Sequence, residues 1–381
     1  MRRVYISAFG SGLGHATRMV SVAKMLQSQS WKVRFSSSGE ITRYLTNEGF
    51  RCNDIPLVDV VYTDHGSFSA KETLKFIPLI FARFAHQIAV EAGNIANFGP
   101  DSVLSDSVAA TVVAAKILGR RVVSVLNQLK LESSPGTPAI ARKLLSTGSV
   151  TVGNEFWDLS GTILIPDLPP PYTISETNLW GAGSVTKRAR YVGFLTPPED
   201  LTDDALTQKL AKDRRKKNFW QVSGPPNTRT TRLATALLLA RQMSDGHVLV
   251  ISAGNPQGRS SPTSIDGGFL YEWCPVKDRL VELSEVVVSR AGHTSIAQFI
   301  QKRKPSLLIP IASHSEQQGN AVKAGRLGIS ALLQEQELTP ERFLRALSSL
   351  EEERVKRKLK ELSEVAGGFD AKESIVKAVV N

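Results

Sequence analysis

Short β-branched segments alternate with helical patterns along nearly the whole 381-residue chain. The predicted strands of the first half are 3–9, 32–38, 102–106, 121–127 and 150–154, and the helical patterns are 16–29, 41–48, about 71–96 and 107–118. Strands separated by helices are typical of βαβ units, which build a parallel sheet with helices on both faces. The loops that follow the strands are then expected at one common edge of the sheet.

A second alternation begins after a stretch rich in proline, glycine and serine at 165–184. Its predicted strands are 219–224, 247–252, 268–273, 285–289, 305–311 and 329–333, with helices near 229–243, 294–302 and 316–326 and two more after Pro340. The chain is too long for one ordinary core. We therefore predict an α/β protein with two Rossmann-like, doubly wound domains that face each other across a cleft. The predicted bounds are 1–175 for the first domain, 185–350 for the second, and 351–381 for closing helices that pack back toward the first.

Composition narrows the functional classes. Two cysteines, Cys52 and Cys274, exclude a disulfide framework or a cysteine-rich metal site and favour a reducing cytoplasm. The apolar run at the N-terminus is too short for a signal peptide, and no window resembles a membrane-spanning helix. The net charge of +11 suits an anionic membrane surface, an anionic small molecule or nucleic acid. Because no basic–aromatic platform or zinc-finger spacing accompanies this charge, we expect peripheral membrane association on the cytoplasmic face and no nucleic acid.

The first motif is a glycine loop that runs from the first strand into a helix. Gly10, Gly12 and Gly14 allow close approach of backbone to a ligand, and His15 follows them at the helix start. The spacing is not GxGxxG and no acidic residue ends the second strand, so a dinucleotide is disfavoured. The helix dipole disfavours a charged imidazole here, which suits a general base. A helix cap or packing against the loop also explains a lone histidine.

The second and third motifs each follow a predicted strand of the second half. In 286–300, backbone N–H groups at a helix start could hold a diphosphate, although a plain strand–turn–helix has the same pattern. In 309–328, Glu316, Gln317 and Asn320 place a carboxylate and two amides at a strand end, which is one way to bind sugar hydroxyls. A polar helix start is the plainer interpretation of that segment.

The ordered set "GSGLGHATR", "SRAGHTSIAQ" and "HSEQQGNA" resembles the three signature segments of GT-B glycosyltransferases of family 28. That group includes the bacterial enzyme that adds N-acetylglucosamine to lipid I and the plant galactolipid synthases. Residues 100–128 also resemble a segment common in archaeal and bacterial relatives of the group. The resemblance implies a nucleotide-sugar donor, usually UDP-linked, on the C-terminal domain and a lipid or glycan acceptor on the N-terminal domain. It also implies inversion without a metal or other cofactor.

The resemblance also assigns roles to individual positions. His15 matches the histidine near the reacting centre, in a loop with Gly12 and Gly14. Gly292, His293 and Thr294 match the diphosphate-binding turn, and Gln298 stands where the family usually has a ribose-binding glutamate. Glu316 and Gln317 match the pair that contacts the donor sugar.

A further phosphate loop is expected at 223–229, "SGPPNTR", where two prolines remove N–H donors. The phosphate contacts would then shift from the backbone to side chains in this loop, which includes Gly224; the candidates are Ser223, Asn227, Thr228 and Arg229. Trp273 would pass beside the base as a stacking residue, although an aromatic residue there is as often part of the core.

These assigned roles predict a mechanism of sugar transfer. His15 would take the proton of the acceptor hydroxyl, and Asp106, at the end of the strand 102–106, would orient the ring and stabilise its cation. The helix start at 292–294 and a cation such as Arg229 or Arg290 would stabilise the departing diphosphate. An aspartate at a strand end is also a common turn cap.

Three alternatives stay open at the level of sequence. The apolar segment 73–92, with Lys75, Arg83 and His86 along it, is either a buried helix or an edge of the acceptor site that dips into a membrane interface. A nucleotide-sugar 2-epimerase would use the same fold. A non-catalytic nucleotide-sugar-binding or nucleic-acid-binding protein is favoured only by the basic charge.

Overall fold

A computed structural model describes residues 1–10, 12–58, 76–129, 155–179, 183–222, 226–243, 246–255, 257–312 and 314–381. The described chain forms two compact units, of which the first contains the described residues up to Pro198 together with Phe369–Asn381. The second contains Glu199–Gly368. Each unit has one largely parallel sheet with helices, so the predicted α/β class with two doubly wound domains is confirmed.

The first unit is built on seven parallel strands in the order β3-β2-β1-β4-β5-β6-β7. The strands are β1 (Arg3–Ala8), β2 (Lys32–Ser37), β3 (Cys52–Asp54), β4 (Ser102–Asp106), β5 (Val122–Val125), β6 (Thr162–Ile165) and β7 (Arg190–Tyr191). The helices are α1 (Leu13–Ser28), α2 (Gly39–Asn47), α3 (Ile77–Phe98), α4 (Ala109–Ile117), α5 (Glu176–Leu179) and α6 (Gly183–Arg188). The predicted strand 150–154 and the start of the predicted helix 71–96 lie outside the described residues.

The second unit has seven strands in the order β10-β11-β9-β8-β12-β13-β14, of which only the β10–β11 pair is antiparallel. The strands are β8 (Lys216–Gln221), β9 (His247–Ser252), β10 (Thr263–Ile265), β11 (Gly268–Tyr271), β12 (Val286–Ser289), β13 (Ser306–Leu308) and β14 (Ser330–Leu332). The helices are α7 (Ala205–Lys212), α8 (Pro226–Ala240), α9 (Lys277–Leu283), α10 (His293–Gln301), α11 (Ser315–Arg326), a 3-10 helix (Glu335–Glu337), α12 (Pro340–Leu350) and α13 (Glu353–Gly367).

The end of the first unit differs from the predicted bound at residue 175. Strand β7 pairs with β6 through Leu164 and Arg190, so the first sheet continues beyond the proline-rich stretch. Residues 167–175 of that stretch form a compact loop, because the buried carboxylate of Asp167 accepts hydrogen bonds from the backbone N–H groups of Leu168, Ile174 and Ser175. Its proline and glycine content indicates a break in regular structure, which here is a loop within a domain and not the crossing between domains.

The C-terminal segment 351–381 divides between the two units. Two helices were expected after Pro340, but the structure has three, since Gly367 and Gly368 end α13 and the Asp370 side chain caps a further helix, α14 (Ala371–Val380). Ile375, Val376 and Val379 of α14 belong to the core cluster of the first unit, whereas α13 belongs to the second unit.

Helix α3 is anchored in the first unit by a buried carboxyl group. Glu91 accepts hydrogen bonds from Tyr5 Oη at 2.5 Å, Ser36 Oγ at 2.8 Å and Thr111 Oγ1 at 2.5 Å. Burial raises the pKa of Glu91, and the hydroxyl donors oppose that shift. Because the donors come from β1, β2 and α4, they hold the second half of α3 against the sheet. Among the described residues, no helix combines the length and apolar character needed to cross a bilayer.

Candidate active site

Each sheet has one place where the direction of strand addition changes. In the first sheet, β2 and β4 flank β1, and in the second, β9 and β12 flank β8. Ligands of doubly wound proteins bind outside the carboxyl ends of the strands at such a switch point. The first predicted motif follows β1 and the second follows β12, and the third follows β13, the neighbour of β12. The strand order therefore places all three motifs at or beside a switch point.

His15 and Asp106 meet at the switch point of the first sheet. The helix α1 starts after Gly12, whose φ of 86° is a left-handed conformation that glycine adopts without strain. His15 Nδ1 lies 2.9 Å from Asp106 Oδ1, and the side chain of Asp106 is completely buried while that of His15 is 20% exposed. The N-cap residue of α1 is Gly12 and no side chain caps the helix, so His15 is not a cap.

Arg18 holds the Asp106 carboxylate from the next turn of α1. Its Nε donates to Oδ2 at 2.7 Å and its Nη2 donates to Oδ1 at 2.5 Å. Burial alone would raise the pKa of Asp106, but the charges and hydrogen bonds of Arg18 and His15 outweigh burial and lower this pKa from 3.8 to about 2. The carboxylate therefore contributes stability that is present above about pH 4 and is lost as the pH falls toward 2.

The ionised state of Asp106 determines which ring nitrogen of His15 carries the hydrogen. A carboxylate can only accept hydrogen bonds, so Nδ1 of His15 carries the proton that faces Asp106. In a neutral imidazole with that tautomer, Nε2 keeps its lone pair, which is the state that a general base requires. The ring of Phe9 lies edge-on to the imidazole, with centroids 5.7 Å apart and an interplanar angle of 74°. The structure therefore brings His15 and Asp106 into contact, and the role of Asp106 in orienting a base stays a prediction.

Arg18 is the site residue that the sequence reasoning missed. It lies three residues after His15, which places both side chains on one face of α1. It is only 2% exposed, and a buried arginine needs a buried partner. The spacing within "GHATR" was a usable signal, because a charged residue one helical turn from a candidate base is positioned to contact the same carboxylate.

The turn after β12 leads directly into α10. Gly292 is the N-cap residue with φ −68°, and no side chain caps the helix. A Cβ placed on Gly292 would find Ser295 Oγ as its nearest neighbour, at 3.9 Å. Neither backbone conformation nor packing therefore requires glycine at this position. A helix start without a side-chain cap is a suitable place for an anion, and Gly292, His293 and Thr294 stay predictions for the diphosphate-binding turn.

The start of α11 lies beside this turn. Buried Asn320 donates from Nδ2 to the carbonyl oxygen of Ala291 at 3.1 Å, so it ties α11 to the turn. The expectation that Asn320 binds a sugar hydroxyl is corrected by this burial. Gln317 accepts a hydrogen bond from the N–H of Ile311 at 3.0 Å, and Glu316 lies half-buried in the first turn of α11. Glu316 and Gln317 stay predictions for the donor sugar.

Gln298 has a different environment from the predicted one. It is 7% exposed, and its Nε2 donates to Oδ1 of Asp278 at 2.6 Å. Asp278 is also buried, and it accepts from Lys277 Nζ at 2.7 Å as well. A contact of the Gln298 amide nitrogen with a ribose hydroxyl would have to break an internal hydrogen bond. Within the described structure, Gln298 connects α10 to α9.

Arg290 is buried, and its guanidinium donates hydrogen bonds within the protein. Its Nη1 donates to the carbonyl oxygen of Ile309 at 2.5 Å, and its Nη2 donates to Glu335, which also accepts from Arg232 Nε at 2.5 Å. Arg290 is 5% exposed, so the expected direct contact with a leaving diphosphate is replaced by a link between the turn and the end of β13. Arg229 donates to the carbonyl oxygen of Gly254 and stays partly exposed.

The remaining donor-side predictions follow β8 and β11. Ser223 and Gly224 lie outside the described residues, and Asn227 and Thr228 lie in the first turn of α8, which begins at Pro226. Proline at the start of a helix loses no internal hydrogen bond. Trp273 is 36% exposed at the carboxyl end of β11 and is therefore not a core residue, which keeps it available as a stacking residue. Among the described residues, no three metal-ligating side chains cluster.

Comparison with known proteins agrees with this architecture. Residues 266–377 match the model of the glycosyltransferase family 28 C-terminal domain, and residues 1–146 match the model of glycosyl transferase family 1. A Methanosarcina mazei protein named an uncharacterized glycosyltransferase is 23% identical over 382 residues, or 98% of this chain and 96% of that protein. The spinosyn rhamnosyltransferase SpnG complexed with thymidine diphosphate has the same fold, with a TM-score of 0.71, 16% identity and 100% coverage of both chains. The chain is a glycosyltransferase of the GT-B fold.

Part of this glycosyltransferase is also similar to a relative with a named reaction. It is 35% identical over 105 residues to the UDP-N-acetylglucosamine–N-acetylmuramyl-(pentapeptide) pyrophosphoryl-undecaprenol N-acetylglucosamine transferase of Geobacillus thermodenitrificans, which is 27% of this chain and 29% of that enzyme. The resemblance to family 28 glycosyltransferases is thereby confirmed. The match of the first 146 residues to a family 1 model adds a relationship that the three motifs did not indicate.

Proposed function

We propose that this glycosyltransferase moves a sugar from a pyrimidine nucleoside diphosphate to an acceptor hydroxyl with inversion at the anomeric carbon. The observation that carries the proposal is the His15–Asp106 pair at 2.9 Å, which leaves Nε2 able to accept a proton at the switch point of the first sheet. Nε2 takes the acceptor proton as the acceptor oxygen bonds to the anomeric carbon. The bond from that carbon to the diphosphate breaks on the opposite face, and Asp106 stabilises the imidazolium.

The second unit is proposed to hold the donor. The uncapped start of α10 at Gly292 would bind the diphosphate through its N–H groups and dipole, which also stabilises the charge that develops on departure. This arrangement requires no metal. Trp273 follows β11, which is three strand spacings of ~4.8 Å, or roughly 14 Å, from β12, so we propose that the base stacks on Trp273 while the diphosphate is at the turn. UDP is the predicted nucleotide, and the thymidine diphosphate complex of SpnG supports the pyrimidine class.

The test is a panel of UDP- and dTDP-linked hexoses with candidate acceptors, in which nucleoside diphosphate release and the anomeric configuration of the product are measured. We expect release that depends on acceptor, an inverted product, and full turnover in EDTA. A new nucleotide sugar formed without acceptor would instead identify a 2-epimerase. Retention of configuration, or a requirement for a divalent cation, would contradict the proposed mechanism.

A lipid-linked acceptor is proposed from the surface of α3. The second half of this helix packs against the core of the first unit, with Ile88 and Ala92 of the segment 73–92 partly buried there and Ile95 and Phe98 buried beyond that segment. The first half instead exposes 43% of Leu79 and 59% of Phe81 beside exposed Arg83, and the N-cap residue Phe76 is 44% exposed. Exposed aromatic and aliphatic side chains next to basic ones favour a membrane interface with anionic lipids.

We expect the protein to co-sediment with vesicles that contain an anionic phospholipid and to dissociate in high salt. The double variant Leu79→Ser/Phe81→Ser should bind these vesicles roughly 10- to 150-fold more weakly, because full burial of a large apolar side chain contributes about 1.5–3 kcal/mol and only 43% of Leu79 and 59% of Phe81 are exposed for transfer to lipid. Ile117→Ser, which removes an apolar side chain that is 68% exposed on α4, is the matched control. Equal vesicle binding by all three proteins would show that α3 does not contact lipid.

A further inference from the structure

A buried amide completes the hydrogen bonding around the proposed base. Asn127 follows β5, the neighbour of β4, and is 4% exposed. Its Oδ1 accepts a hydrogen bond from Arg18 Nη2 at 3.1 Å. Because arginine has no acceptor atom, the carbonyl oxygen of Asn127 must be the atom that faces Arg18. Neither the glycine-loop motif nor the His15–Asp106 pairing accounts for this residue.

The protons of Arg18 can be counted one by one. Nε has one proton, which is donated to Asp106 Oδ2. Nη2 has two protons, of which one is donated to Asp106 Oδ1 and the other to Asn127 Oδ1. Nη2 also lies 3.1 Å from His15 Nδ1, but it has no third proton to donate there. Any hydrogen bond from Arg18 to His15 would therefore have to share a proton that already has an oxygen acceptor, and Nδ1 donates its own proton to Asp106.

Removal of the Asn127 carbonyl would change this count. One buried proton of Arg18 Nη2 would lose its acceptor, and His15 Nδ1 is an alternative acceptor within 3.1 Å. To accept a hydrogen bond from Arg18, Nδ1 must present a lone pair. The hydrogen of the neutral ring would then be on Nε2. An imidazole with a proton on Nε2 cannot take a proton from an acceptor hydroxyl at that atom.

We propose that Asn127 is a positioning residue that sets the tautomer of His15 by occupying the second Nη2 proton of Arg18. The inference rests on the proposed function, because it gives the tautomer a role only if His15 is the base. The groups that face the imidazole in this cluster are Asp106 from β4, Arg18 from α1 and the Phe9 ring. Asn127 acts on the imidazole through its hydrogen bond with Arg18.

The test compares Asn127→Leu with Asn127→Asp. Leucine has nearly the same size but no acceptor and leaves little room for a water molecule, whereas aspartate keeps an acceptor oxygen toward Arg18. The tautomer of His15 is measured by 15N NMR of histidine-labelled protein, in which His15→Gln assigns its signal among six histidines. We expect Nδ1–H in the wild type and in Asn127→Asp, and a shift toward Nε2–H in Asn127→Leu. Acceptor-dependent kcat in Asn127→Leu should fall roughly 10- to 100-fold, with an unchanged donor KM.

Each outcome decides between the inference and the function on which it rests. If Asn127→Leu keeps the wild-type tautomer, or Asn127→Asp loses it, the role of Asn127 is refuted whatever the rates are. If Asn127→Leu changes the tautomer and transfers sugar at the wild-type rate, Asn127 does set the tautomer but His15 is not the base. An unchanged affinity for UDP, proposed to bind the second unit, together with wild-type NMR dispersion, shows that each variant is folded.

Discussion

Replacement of His15 by alanine is expected to abolish sugar transfer while the affinity for the nucleotide stays the same. A positioned general base contributes about 10²- to 10⁴-fold to a rate, and no other described side chain within contact of Asp106 can take a proton at neutral pH, since Arg18 is permanently charged. The fold should persist, because Arg18 still neutralises the buried carboxylate when the imidazole is absent. The measurements are kcat with the best donor–acceptor pair and calorimetric titration with UDP.

Two variants control this prediction. His15→Gln keeps an amide that can donate to Asp106 but has no basic nitrogen, so it should be as inactive as His15→Ala. His247→Ala removes a histidine at the amino end of β9, opposite the switch point, and should transfer sugar at the wild-type rate. Turnover near the wild-type level in His15→Ala would eliminate the assignment of His15 as base and would direct attention to another group on the first unit.

Replacement of Gly292 by alanine is expected to weaken donor binding strongly with little effect on the fold. The backbone at Gly292 has φ −68°, which alanine adopts, and the nearest atom to the added Cβ is 3.9 Å away. The cost in unfolding free energy should therefore be that of a poorer N-cap, about 1 kcal/mol or less. A diphosphate bound at the N–H groups of this turn would meet the new methyl group, and such a clash costs about 1–3 kcal/mol, or roughly 5- to 150-fold in Kd.

Calorimetric titration with UDP and a thermal unfolding curve measure the two effects separately. Gly367→Ala is the matched control in the same unit, because a Cβ at Gly367 meets nothing within 4 Å and the residue ends α13 far along the chain from the turn. The control should match the wild type in both measurements. Wild-type affinity for UDP in Gly292→Ala would place the diphosphate somewhere other than the start of α10.

Much of the site could be located from the sequence because parallel strands share one carboxyl edge. The alternation of strands and helices predicted two doubly wound sheets, and the order of strands then brings the loop after β1 to the end of β4. The proximity of His15 and Asp106 follows from this topology alone. Arg18 could have been added from its position one helical turn after His15, since helical spacing is a local property.

The burial and hydrogen-bond partners of several polar side chains depend on residues that are distant in sequence. Gln298 and Arg290 follow the same strand, and both are buried. Gln298 donates a hydrogen bond to Asp278, and Arg290 donates one to Glu335. These partners are 20 and 45 residues away, and the local pattern around each residue is compatible with an exposed position as well. Asn127 is a similar case, because only the completed hydrogen-bond count of Arg18 distinguishes it from any other loop amide.

The sequence by itself determined the strands and helices that flank the three motifs, which edge of each sheet carries the functional loops, and which family the motifs resemble. Periodicity and turn chemistry are encoded within a few residues, so these properties can be read along the chain. Only the tertiary structure decided that α14 completes the first core, that the first half of α3 is exposed, and which donors and acceptors meet around His15. Burial and hydrogen-bond partners depend on residues that come together only when the chain has folded, and a linear pattern does not contain them.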